Sequence, residues 1–143
     1  MKDLKIDAPS LLSTLWIYVL LNMIFRDLHQ FASPGFIEEL MSLEVAEAYV
    51  LIFGIILEIP IIMVVLSRIL RAKVNKWANI IAVGIFSLSM LSTLAGADMD
   101  DIFFMLMELL GFVAIIKIAW DLPKQEQQEQ QEQQEPTANY AQS

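Results

Sequence analysis

Cysteine is absent from this chain of 143 residues, and histidine occurs once, as His29. Without cysteine there is no disulfide framework, no thiolate zinc or iron–sulfur site and no thiol redox chemistry. A lone histidine cannot supply the paired axial ligands of a membrane haem protein within one chain. Basic residues are also scarce, nine against 17 acidic ones, for a formal net charge of −8. That balance argues against a nucleic-acid partner, because phosphate binding needs clustered Lys and Arg. Walker loops, zincin motifs and glycine-rich nucleotide loops are missing too, so no catalytic residue, metal site or cofactor is assigned and the chain reads as a non-enzyme. Asp98-Met99-Asp100-Asp101 lacks the glycine and terminal glutamate of a calcium-binding EF-hand and reads as an acidic loop.

Apolar residues, in contrast, make up 57% of the chain, above the roughly 45–50% of soluble domains even when glycine is counted there. Charge is nearly excluded from long stretches. Trp77–Ala97 carries none and spans about 31 Å as a helix, enough for a ~30 Å hydrocarbon core. Ala8–Phe25 is also uncharged, Ala48–Leu66 holds only Glu58, and Ile102–Trp120 holds only Glu108 and Lys117. The pattern predicts an all-α transmembrane four-helix bundle over 1–122, with helices near 10–29, 47–70, 76–97 and 101–121. Lys2 and Lys5 before the first apolar run resemble a signal peptide, but Asn22 and Arg26 interrupt the run and no small-x-small cleavage site follows. The first helix is therefore read as retained.

Eight of the nine basic residues, Lys2, Lys5, Arg68, Arg71, Lys73, Lys76, Lys117 and Lys124, fall on one side of this topology. Positive residues resist translocation, so both termini are expected in the cytoplasm. Between the first two helices, Ser33-Pro34-Gly35 followed by Phe36, Ile37, Leu40 and Met41 predicts a short interfacial helix capped by Ser33. After Pro123 the chain becomes Gln and Glu with glutamates at intervals of three. With no apolar face to bury, 123–143 is expected to be a disordered cytoplasmic tail.

Ionisable groups inside a membrane are expensive and mark candidate functional sites. At 100° per residue, Leu11, Leu15, Tyr18, Asn22, Arg26 and His29 share one face of the first helix. Glu47, Gly54 and Glu58 share a face of the second, and Asp101, Phe104, Glu108, Gly111, Phe112, Ile115 and Ala119 share one of the last. Helical rise places Asn22 and Glu108 about 10 Å below the outer boundary, and Tyr18 and Glu58 about 16 Å below it. These depths predict one polar cluster of Tyr18, Asn22, Arg26, Glu58 and Glu108. Pro60 removes a backbone donor from Ile56 and kinks the helix beside Glu58, which makes Glu58 a candidate proton-exchanging group. The same cluster equally fixes helix register as a structural device.

In the third helix Ala78, Ala82, Ser89, Ser92, Thr93 and Gly96 line a narrow arc. Small residues let helices approach closely in lipid, so this arc is expected to be the packing seam of the bundle, or of a homo-oligomer or larger membrane complex. Two functions remain open: a structural or accessory bundle, and a small proton- or ion-coupled transporter using Glu58 and Glu108.

The segments Leu15-Trp16, Asn22 to Asp27, Pro34-Gly35-Phe36, Leu57-Glu58-Ile59-Pro60, Leu66-Ser67-Arg68 and Asn75 to Ile81 form a recognisable set. With Ile102-Phe103-Phe104, Glu108 and Ala119-Trp120, they resemble a family of small bacterial integral membrane proteins of unknown function. The resemblance covers about residues 10–122. It implies four membrane helices, with the chain expected in a bacterial cytoplasmic (inner) membrane, and supplies no activity.

Overall fold

The computed structural model describes residues 7–140; Lys2, Lys5 and residues 141–143 lie outside the described residues. The fold is all-α. Four long apolar helices, α1 (Ala8–Gln30), α3 (Glu47–Ile69), α4 (Ala72–Thr93) and α5 (Met99–Tyr140), pack together, and the short α2 (Phe36–Ser42) joins the first two.

Each helix begins or ends for a local reason. Asp7 caps α1 by accepting the Ser10 amide at 3.0 Å, with proline in the first turn, where its missing donor costs nothing. Hydrogen bonding from Ser10 holds the Asp7 carboxyl below the usual carboxylate range. Ahead of α2, Gly35 at φ 85° and ψ −9° turns the chain, and the Phe36 amide donates to the Ser33 carbonyl at 3.2 Å. That geometry is a type II turn, with proline second and a left-handed residue third. Gly35 is thus the helix cap, in place of the expected Ser33, because only glycine adopts the required φ without strain. Leu70 and Arg71 alone connect α3 to α4 and are both extended, which makes the two helices antiparallel.

Two boundaries differ from the sequence expectation. α4 covers 72–93 where 76–97 was expected, because Lys73 and Lys76 sit at its end, from which long side chains reach water without breaking the helix. Its far end tightens into a 3-10 turn over Leu94–Gly96. α5 continues helically through Pro123 to Tyr140, over residues expected to be disordered. Gln and Glu are good helix formers, and the absence of an apolar face leaves residues 124–128 exposed without stopping the helix.

The core is narrow. Leu12, Trp16, Val19 and Met23 form one stripe of α1, and Phe112, Ile115, Ala119 and Leu122 one stripe of α5. At the centre, Trp16, Phe86 and Phe112 form a triangle with ring centroids 6.4 to 6.5 Å apart. α1 packs on α3 and α5, and α4 packs on α5, whereas α3 meets α4 over a smaller contact. The outside is apolar instead of polar: Phe25, Leu51, Phe53, Ile81, Leu88 and Leu110 are among many large exposed side chains. Continuous apolar surface of this extent marks contact with lipid or protein, and four helices are long and apolar enough to cross a membrane.

Candidate functional site

The half of the bundle nearest α2 contains the buried charge pair. Arg26 on α1 faces Glu108 on α5, with Nη1 3.3 Å from Oε1 and 3.4 Å from Oε2. Glu108 is only 3% exposed. The guanidinium donates a hydrogen bond to Oε2, while Oε1 is enclosed and accepts none. Three further links tie the same edge of α1 to α5. The Tyr18 hydroxyl donates to the Met107 carbonyl at 3.3 Å, Gln30 Nε2 donates to Asp101 at 3.0 Å, and His29 Nε2 lies 3.3 Å from Asp100.

Beside the pair lies a cleft of about 200 Å3, lined from all four long helices by residues including Arg26, Asp27, Phe53, Phe86, Ser89 and Glu108. A wider cavity of about 480 Å3 adjoins it through Arg26, Asp27 and Thr93 and extends to Gln30, Gly96 and Asp101. Three carboxyl groups, Asp27, Asp101 and Glu108, border this space together with one basic residue, Arg26. Among the described residues, no three His, Cys, Asp or Glu side chains gather as a metal site requires.

The other half, nearest the α3–α4 turn, holds a second polar layer. Trp16 Nε1 donates to Asn79 Oδ1 at 2.6 Å, Asn79 Nδ2 donates to Asn75 Oδ1 at 2.7 Å, and Asn75 Nδ2 donates to the Ser67 carbonyl at 2.7 Å. This relay crosses from α1 through α4 to α3, and every member is fully buried. A separate link at this level is made by Ser13 on α1, which donates to the Val64 carbonyl at 2.7 Å and accepts from Arg68 Nε at 3.1 Å. At the rim, Lys76 Nζ stands 3.4 Å from the Trp120 ring centroid, a cation–π contact.

Residues 3–129 match the model of a family of unknown function, DUF6326. The chain belongs to the DUF6326 family. The match reaches into the Gln/Glu stretch that the sequence resemblance left outside. No curated protein and no solved structure matches the chain.

In this DUF6326 protein the expected polar cluster is reduced. Arg26 and Glu108 meet; Asn22 donates to the Tyr18 carbonyl on its own helix at 2.9 Å. Glu58 does not join them. α3 packs through Ile56, Ile59, Pro60, Met63 and Ser67, and Glu58 lies on the opposite face, exposed. The face it shares with Glu47 and Gly54 turns away from the bundle. Pro60 is buried on the packed side.

The small residues of α4 and its 3-10 turn are only partly enclosed by the bundle. Ala82 is buried and Ala78 packs on the core, Ser89 and Thr93 line the cleft, and Gly96 lines the wider cavity. The side chain of Ser92 lies outside the described residues. The Ala78–Ala82 part of this arc thus packs against the chain's own helices, while Thr93 and Gly96 at its far end are exposed. The Trp16–Asn79–Asn75–Ser67 relay escaped the sequence reading. Asn75 and Asn79, one turn apart in an apolar helix, carried the signal, since two amides on one face call for a shared partner.

Proposed function

We propose that this DUF6326 protein is a non-catalytic, structural or accessory bundle of a bacterial inner membrane, with both termini cytoplasmic and α2 lying at the outer surface. The observation that carries this reading is the separation of the two membrane carboxylates. An exchange mechanism that trades protons between Glu58 and Glu108 needs both in one site, yet Glu108 is enclosed against Arg26 while Glu58 is exposed on the far side of α3. Most buried polar side chains are hydrogen-bonded within the protein, which fixes register and leaves little to rearrange. The orientation rests on charge. Arg68, Arg71, Lys73, Lys76, Lys117 and Lys124 lie toward the turn end, and the loops at the α2 end carry eight acidic residues with Arg26 as the one basic residue near them.

A second reading keeps Glu108 alone as the working group of a small ion-coupled transporter. It is favoured by the cleft beside Glu108 and by Oε1, which accepts no hydrogen bond although it lies in the ion pair with Arg26. Proteoliposomes separate the two. The structural reading expects proton or cation flux no greater than in protein-free vesicles, and a flux abolished by Glu108→Gln would overturn it. Cysteine labelling tests the orientation on a chain with no native thiol. Glu44→Cys should react from outside the cell and Lys73→Cys only after permeabilisation; the reverse pattern would invert the topology.

A further inference from the structure

Glu58 occupies the midpoint of α3, 11 residues from either end of the 23-residue helix Glu47–Ile69, and so sits near the centre of the bilayer if α3 spans it. It is exposed and has no hydrogen bond or ion pair within the described residues. Its face continues through Leu51, Ile55, Ile62 and Val65, all exposed, and through Gly54, where an added Cβ would meet nothing within 4 Å. A carboxyl turned toward hydrocarbon is expensive to maintain, so something covers it. Among the described residues no cation is positioned to do so. Arg26 is paired with Glu108, and Lys117, the nearest exposed cation in depth, lies about 10 Å closer to the turn end by helical rise.

We infer that the Gly54–Glu58 face of α3 is the interface with a second copy of this chain, in which the two Glu58 side chains hydrogen-bond to each other. Copies inserted in the same direction are related by a two-fold axis along the membrane normal, and that symmetry brings each residue to its counterpart at the same depth. Two carboxyls that share a proton hydrogen-bond to each other, one donating and one accepting, so the pair needs no special residue from a different protein. Gly54, one turn away on the same face, lets the two helices approach closely enough for the carboxyls to meet. α3 is also the least enclosed of the four long helices, so this face is the one most in need of a neighbour.

The full chain in phosphatidylcholine vesicles tests the interface with single cysteines. Leu51→Cys and Val65→Cys, within about 20° of Glu58, should form oxidised dimers, and Ile52→Cys, exposed but about 120° away, should not. In each cysteine background Glu58→Gln keeps a donor and an acceptor and should preserve the dimer. Glu58→Leu should weaken it by about tenfold in dissociation constant, the loss of an interhelical hydrogen bond. Helix content should be unchanged in every variant, since these side chains touch nothing inside the bundle. Equal crosslinking of Leu51→Cys and Ile52→Cys, no crosslinking at Leu51 and Val65, or a Glu58→Leu dimer as tight as the parent would overturn the proposal. The inference rests on the bundle spanning the bilayer. Reaction of Leu51→Cys with a hydrophilic maleimide in intact vesicles would remove that premise, whereas a protected cysteine that fails to crosslink would remove the dimer alone.

Discussion

The indole of Trp16 on α1 and the side-chain amide of Asn79 on α4 meet at 2.6 Å with both residues fully buried. The contact joins the hydrophobic centre to the polar layer below it: one side of Trp16 faces Phe86 and Phe112, while its N–H is fixed by Asn79. Asn79→Ala leaves that N–H without an acceptor and interrupts the relay to Asn75 and Ser67. Leaving a buried donor unsatisfied costs about 1–3 kcal/mol. Reversible unfolding in mixed micelles should show a destabilisation of that size, and wild-type stability in the variant would remove the relay from the account.

Gly111 sets the approach of α5 to α1. A Cβ there would lie 2.8 Å from Val19 Cγ2 and 3.2 Å from the Tyr18 ring. Val19 is fully buried and, being β-branched in a helix, has little rotamer freedom with which to give way. Gly111→Ala should therefore destabilise the bundle by about 1–3 kcal/mol, as overpacked cores do. The same unfolding titration checks it, and Gly84→Ala, where an added Cβ meets nothing within 4 Å, should be close to neutral or slightly stabilising.

Asp7 should make the start of α1 sensitive to acid. Its carboxyl is held below the usual carboxylate range by hydrogen bonds from Ser10, so folding favours the ionised form. The contribution is present above the unfolded carboxylate range and is lost as pH falls through the lowered folded value. Amide exchange at Ser10 should accelerate, relative to the intrinsic rate, as acid protonates Asp7. Asp7→Asn, a good cap without a titrating proton, should abolish the pH dependence; an unchanged profile in that variant would assign the effect elsewhere.

The four spans were legible because charge exclusion over a bilayer thickness is a strong signal, and the buried face of α5 was legible because Glu108, Gly111, Phe112, Ile115 and Ala119 repeat at helical spacing. The placement of Glu58 was not. Depth along the axis puts Glu58 level with Tyr18, but depth says nothing about the rotation of one helix against another. That rotation is set by packing: Pro60, Met63 and Ser67 turn inward on α3, and Glu58 consequently turns outward. The amide relay was hidden for a related reason. Asn75 and Asn79 are neutral and lie near a basic helix end, where polar residues usually face water, and only tertiary packing buries them.

A double-mutant cycle around Arg26 tests the account most directly, because it asks which carboxylate the guanidinium feels. Arg26→Met, Glu108→Gln, Glu58→Gln and the two double variants are compared by unfolding in micelles. Arg26 and Glu108 should couple by about 1 kcal/mol or more, since removing one partner leaves a buried charge alone. Arg26 and Glu58 should be additive within about 0.5 kcal/mol, as uncoupled sites are. Coupling of Arg26 to Glu58, or additivity of Arg26 with Glu108, would contradict the separation of the two carboxylates on which the proposed function rests.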